Sequence, residues 1–450
     1  MKKSLRLIAV LSAFCLLLCG CRPATKPEPD DFYTVGFGSV ALAVPADSDQ
    51  PLYIAGYHAG REITGVLDEQ RASAVWLENG AASVLLISVD CVGLGSDTVA
   101  TIRKRIAAVP ELSRCDSVNV IATHTHAGID TLGLWGPIGV DGKNDDFTQT
   151  LIDGVVQASK TAYADRTAGT LTYSETETAF LQEDSRYPKQ YDKNIYQLRF
   201  TPFDGEHNGI RIWSFAAHAE ALRSENTQVS RDYPGVVCDL ITQQTGEDTL
   251  YLPGAIGGLV MTPVLVDPFD AEANLQRTGE RIATVAMLKP DRSRELAPSV
   301  KVSRVTFDTQ LENTLFQYYC FLGILQNDVR YTLFDGYRLQ TELTVLQLGD
   351  VTLALLPGEV FPELVSGTGE DEDPALAELA AAAGIEDLVV IGLANDELGY
   401  ILPPSVFVTD PALPYVHEAE GDHYEETNSV GPKVAVDLAE AFEKALKEIA

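Results

Sequence analysis

The chain has 450 residues, 45% of them hydrophobic, an ordinary balance for a globular protein with one large core or two modest ones. Against 33 basic residues stand 65 acidic ones, leaving a formal net charge of -32. Phosphate contacts rest on Lys and Arg, so this balance excludes nucleic acid as a natural partner.

The first residues read as an export signal. Lys2, Lys3 and Arg6 precede an apolar run from Leu7 to Leu18, too short for a comfortable membrane span. Leu18-Cys19-Gly20-Cys21 resembles a bacterial lipoprotein cleavage box. Residues 1–20 are therefore expected to be a lipoprotein signal peptide and Cys21 the lipidated residue, with an ordinary secretory signal as the alternative. The proline-rich, charged stretch RPATKPEPDD follows, so residues 21–32 are expected to serve as a flexible tether. The expected location is extracytoplasmic, lipid-anchored to a bacterial membrane. No later run has the length of a transmembrane helix.

From residue 33 to 450, strand-like runs alternate with helical periodicity. ASVLLISVDCVGL reads as a buried strand and SDTVATIRKRIAAV as a helix capped by its serine. SVNVIATHTH is the next strand, and DDFTQTLIDGVVQASKTAYADR the next helix. YQLRF and GIRIWSFAAHA read as paired strands across the turn-rich TPFDGEHN. PGVVCDLITQQTG is a helix opened by Pro234 and closed by Gly246, and AEANLQRTGERIATVAMLK is another. Residues 300 to 356 turn β-rich and end in a hairpin bent at Gly349-Asp350. A short helix, the strand DLVVIGLAND and an amphipathic helix from Pro432 complete the chain. The alternation predicts an α/β fold with a mixed β-sheet core flanked by helices. Cys91, Cys115, Cys238 and Cys320 are widely spaced without a C-x-x-C pair. They are expected to be free thiols rather than a zinc ribbon or two disulfides.

Polar residues collect where these strands stop. Asp90 follows LLISV, His124 and His126 follow VIAT, and His218 follows IWSFAA. Glu359 follows LALLPG, and Asn395 then Tyr400 follow LVVIGLA. Sites in open α/β sheets gather beyond the strand carboxyl ends, so five such segments point to one site. Imidazole with carboxylate suits a divalent metal such as zinc. His124 and His126 point the same way in extended chain, about 6.5–7 Å apart, so both could reach one ion, or one could serve substrate. A serine-nucleophile elbow, a phosphate loop and a dinucleotide-binding glycine pattern are absent from the sequence.

These residues resemble the neutral/alkaline non-lysosomal ceramidases, specifically their N-terminal catalytic domain. ATHTHAG matches the family's T-H-T-H-S-G after a strand, with Ala127 for Ser. TVGFGSVALAVPAD is similar to its first strand, and YIAGYHAGREITGVLDEQRASAVWL to the stretch that follows. IWSFAAHAEAL, VSRDYPG, LPGE, GLANDELGYILPP and HYEETNSVGP match later segments in order. The resemblance implies one zinc ion per chain on His124, His218, Glu359 and Tyr400. His126 and Tyr424 would act on the substrate as catalytic residues, and Arg186 in EDSRYP would bind substrate. The implied activity is cleavage of an N-acyl, ceramide-like amide by zinc-activated water.

Two departures bear on that expectation. Where the family carries an essential serine this chain reads GAIGGLVMTP, with Val260 in the serine's place unless an insertion makes Thr262 the equivalent. The sequence also stops where the family's C-terminal immunoglobulin-like domain would begin. Two alternatives therefore stand: a metal-dependent esterase or amidase on a small non-lipid substrate, and a non-catalytic surface-binding lipoprotein. His417 and His423 could hold a second metal or belong to a solvated acidic loop. Asp232 could orient a ligand or cap a helix.

Overall fold

The computed structural model describes residues 30–46, 48–178, 181–261, 269–370 and 373–450. The expected signal peptide, Cys21 and all but the end of the tether lie outside the described residues, as does Thr262. No helix among the described residues is long and apolar enough to cross a membrane.

The expected mixed core is present, and it divides into two sheets. The larger has nine strands. Its main path runs Asp248–Pro253, Ile210–Phe215, Asn194–Pro202, Thr167–Glu177, Tyr33–Ala41, Arg71–Glu78, Ser83–Val89 and Ser117–Ala122, with Arg292–Glu295 paired off it. The middle is antiparallel, while each end carries one parallel pair. The second sheet orders Val300–Gln310, Gly336–Leu348, Val351–Leu355 and Asp387–Ile391, the last pair parallel.

Side-chain alternation tells how the sheets stack. Ile212 and Leu252 join Leu86, Leu346, Leu353 and Val389 in the apolar layer between the sheets. Their neighbours Trp213 and Tyr251 face outward, onto helices Asp232–Thr245 and Ala271–Ala286. Ile102 of Ser96–Ala107 and Phe147 and Val155 of Asp145–Ala164 cover the rest of the large sheet's outer face. Leu438, Phe442 and Leu446 of Lys433–Ile449 cover the second sheet. The result is four layers, helix-sheet-sheet-helix. Ser83–Val89 is buried at every position, which explains its unbroken apolar run.

Local differences have local causes. The first helix is capped by Gly95 rather than by the Ser96 side chain. The helix expected from Pro234 begins at Asp232, because the Asp232 carboxylate accepts from the backbone N–H groups of Ala221, Leu222 and Tyr233 and anchors that corner. Within the β-rich stretch lies a helix, Thr314–Leu322, none of whose residues is buried. All four cysteines of the described chain are free thiols, as expected.

Candidate metal centre and active site

Both sheets aim strand carboxyl ends at one place. Beyond Ala122 the chain turns through His124, whose φ of 63° puts a non-glycine residue in the left-handed region. Such a conformation persists only where surrounding contacts hold it. Here Ala122 N–H donates to Leu393 O at 3.1 Å, and His126 N–H to Ala219 O at 2.9 Å. Thr125 bridges Ala219 in parallel fashion, so the two histidine segments run side by side. Gly56 makes the space for His126. A Cβ at position 56 would lie 2.4 Å from the His126 Cγ, and its φ of 105° also suits glycine.

The imidazoles are oriented by backbone carbonyls. His124 Nδ1 lies 2.7 Å from Val92 O, and His218 Nδ1 lies 2.8 Å from Leu259 O. Each Nδ1 therefore carries the proton it donates, and each Nε2 turns a lone pair inward. His124 Nε2 stands 3.1 Å from His126 Nε2 and 3.3 Å from Glu359 Oε2. His218 Nε2 stands 2.9 Å from Glu359 Oε2 and 3.3 Å from the Tyr400 hydroxyl. Glu359 and Tyr400 are brought together by a two-residue parallel ladder in which they are register partners.

These separations test the fit to a metal. A tetrahedral site with bonds of about 2.0–2.1 Å places its ligands about 3.3 Å apart. The lone pairs converge at that spacing, and the ligand atoms of His124, His126 and His218 all fall within 4.8 Å of one another. Among the described residues no other cluster of this kind occurs, so His417 and His423 do not form a second one. The electrostatics agree. Burial opposes charge on His218, yet the hydrogen bond from Glu359 carries its pKa up to about 9. Burial would also raise Glu359, but His124 and His218 hold its carboxyl well below the usual range. His126 is pushed well below the ordinary imidazole value, first by burial and then by the two neighbouring rings. Its Nδ1 is buried without a hydrogen-bond partner, 4.0 Å from Glu220 Oε2.

A cavity of about 220 Å³ opens onto this cluster. His124, His126, Glu359 and Tyr400 line one part, and Leu132, Leu315, Phe316 and Tyr319 line much of the rest. Tyr424 is half exposed, with its ring 6.2 Å from that of Tyr400. Burial, then the charge of Glu359, pushes its phenol up to about 12. A larger cavity, about 360 Å³, lies on the far side of the histidine strand among Arg71, Asp90, Thr123 and Arg231, away from the convergent imidazoles.

The structure thus gathers His124, His126, His218, Glu359, Tyr400 and Tyr424 around one centre. Arg186 is placed differently. Its guanidinium donates to Glu425 Oε2, to both oxygens of Glu426 and to Val406 O, and it does not line the cavity. It clamps the short helix Tyr424–Thr427 that carries Tyr424. Asp90 accepts the Arg71 N–H on the far side, and Asn395 receives the Val120 N–H, so neither faces the centre. Val260 pairs with Glu183 in a short ladder, and its neighbour Leu259 supplies the carbonyl that orients His218.

The family model for the neutral/alkaline non-lysosomal ceramidase N-terminal domain matches residues 33–263, just over half of the chain. The chain belongs to that ceramidase family. Among solved structures it is similar to the neutral ceramidase from Pseudomonas aeruginosa, at 16% identity and a TM-score of 0.73, covering 93% of this chain and 74% of that one. A second ceramidase structure, in complex with C2, gives a TM-score of 0.69 at 16% identity, covering 93% and 75%. At that identity the likeness establishes the ceramidase fold, and the metal-capable histidine cluster sits within it.

Three features of the ceramidase site escape a reading of strand ends. Glu220, two residues past His218, takes a 2.6 Å hydrogen bond from Tyr57, whose ring packs edge-on against His126. The apolar wall comes from the Thr314–Leu322 helix. Glu397 also lines the cavity. The period-two spacing of His218 and Glu220 is a signal for the first; the other two carry no local mark.

Proposed function

We propose that this chain is a zinc-dependent amidohydrolase that cleaves an N-acylated, ceramide-like lipid into a carboxylate and an amine. The observation that carries the reading is the convergence of His124, His218, Glu359 and Tyr400 on one point at an apolar cavity. Those four residues would hold the ion. When bound, zinc lowers the pKa of a coordinated water and polarises a carbonyl.

The chain's own groups do the rest. Val92 O and Leu259 O keep two imidazoles in the tautomer that offers Nε2. Leu315, Phe316 and Tyr319 hold the acyl part and keep water out. His126 and Tyr424 face the same space and are assigned as hydrogen-bond donors to the oxyanion that develops on the scissile carbonyl. Arg186 serves the substrate through Tyr424, by fixing the helix beneath it. Val260 leaves no serine at that position, so the nucleophile assigned is water.

The cavity of about 220 Å³ is smaller than the roughly 300–1,000 Å³ of drug-sized sites. This favours a short acyl group, and keeps the esterase or amidase on a small non-lipid substrate as the second reading. Anchoring through Cys21 would place the enzyme at a membrane, outside the cytoplasm; fractionation of a Cys21→Ser variant tests that separately. The central experiment measures bound zinc and fatty-acid release from a short-chain ceramide, using protein lacking the first 20 residues. Near-stoichiometric zinc with turnover abolished in His124→Ala is expected. Zinc without ceramide turnover, but with activity on other esters or amides, moves the assignment to the second reading. No zinc after reconstitution overturns both.

A further inference from the structure

One polar group in the cavity is left over by the reaction as described. Glu397 projects between the metal-capable cluster and the apolar wall. Its Oε1 accepts the Gly399 N–H at 2.8 Å, whereas its Oε2 is buried and has no hydrogen-bond partner. The space it occupies is built into the backbone. A Cβ at position 93 would lie 2.8 Å from the Glu397 Cγ and 3.1 Å from the Leu132 Cδ1, so Gly93 is what admits the side chain. Neighbouring Asp396 is spent otherwise, accepting from Ser96 N–H, Asn327 and Thr341. Glu397 is therefore free of the structural duty its neighbour performs, and its unpaired oxygen is buried where the substrate would lie.

A buried carboxyl oxygen without a partner is costly, and a ligand that supplies one recovers that cost. The partner must suit a carboxyl that sits beside the second acid of the same cavity, Glu359. A hydroxyl both donates and accepts, so it pairs with Oε2 in either protonation state, which an ether or a methylene cannot do.

We propose that Glu397 is a specificity-determining residue that binds a hydroxyl of the substrate close to the scissile amide. The substrate class then narrows from N-acyl amines to N-acyl amino alcohols. This rests on the amidohydrolase reading. Sites that hydrogen-bond a substrate hydroxyl reject the analogue lacking it far more strongly than apolar sites reject a missing methylene.

The test compares a hexanoyl amide of a medium-chain 2-amino-1-alcohol with the hexanoyl amide of the matching alkylamine. Zinc-loaded wild-type enzyme should prefer the hydroxylated amide by at least about tenfold in kcat/KM. Glu397→Leu should bring that preference within about threefold with zinc content unchanged, and Glu397→Gln should retain part of it. Undiminished preference in Glu397→Leu overturns the proposal while leaving the amidohydrolase reading intact. If neither amide is cleaved by any variant, that reading fails instead. The same two compounds are then titrated calorimetrically as ligands. Tighter binding of the hydroxylated compound that is lost in Glu397→Leu sustains the role of Glu397, and equal binding in both proteins refutes it.

Discussion

The nine-stranded sheet delivers nitrogen to the candidate metal centre, through His124, His126 and His218, whereas the five-stranded sheet delivers oxygen, through Glu359 and Tyr400. The nitrogen side is fixed by two carbonyl hydrogen bonds and by close backbone pairing of the histidine segments. The oxygen side hangs on a ladder of two residues. The family model reaches only the nitrogen side, since it ends at residue 263. Three imidazoles could by themselves make a metal site, as His₃ zinc sites do. The second sheet adds a negative charge and a phenol, and also the cavity wall. The difference teaches that metal capture and substrate handling are assigned to separate layers that meet at one seam.

The largest expected effect decides whether both sides bind the ion. His218→Ala and Glu359→Ala should each weaken zinc at least about 100-fold, since even outer-shell changes cost 10–100-fold; His126→Ala should keep zinc and lose turnover. If Glu359→Ala retains metal in an elemental analysis while His126→Ala does not, the site is a three-histidine one and the oxygen side is dispensable. Next in size, Tyr424→Phe should lower kcat by about 10²–10³-fold with little change in KM, the signature of a single oxyanion donor. An equal rise in KM would reassign Tyr424 to ground-state binding.

Arg186→Met probes the clamp behind that tyrosine. Arg186 is 8% exposed and Glu426 1%, so removing the guanidinium strands two buried carboxylates. The expected loss is about 3–5 kcal/mol in denaturant unfolding. Unchanged stability with raised KM would instead restore Arg186 to direct substrate contact.

The smallest effect concerns pH, on the nitrogen side alone. Burial, only partly offset by Arg231, pushes the Asp90 carboxyl up to about 7, above the unfolded value of about 3.9. The folded state thus holds this proton more tightly. The stability it contributes is full below about pH 4 and lost as pH rises through about 7. Metal-free protein should melt higher at about pH 5.5 than at about pH 8, and Asp90→Asn should shrink that gap. A gap unaltered in the variant would assign the pH dependence to other carboxyls.

Much of this was legible in the residues themselves. Periodicity marks most of the strands and helices because each buries one face or two, and the four oxygen and nitrogen ligands stand at strand ends. The helix Thr314–Leu322 was not legible. TLFQYYCFL is apolar nearly all round and so lacks an amphipathic signature; its apolar surface serves the cavity rather than a core. Nor was the division into two sheets, since strand runs do not state which partners they will stack upon. Arg186 was found as a charged residue of interest, but its pairing with Glu425 and Glu426 spans about 240 positions, beyond any local pattern.

The contact of Ala122 with Leu393 has a further consequence. The histidine strand is the last in its sheet, and its outer edge would otherwise present open N–H and C=O groups to any passing strand. Residues Leu393 to Asn395 seal it, through Ala122 N–H to Leu393 O, Asn395 N–H to Val120 O and Val120 N–H to the Asn395 side chain. The turn that leads to Tyr400 is thereby also a guard against edge-to-edge association, so substitutions at Asn395 should show first as aggregation in light scattering.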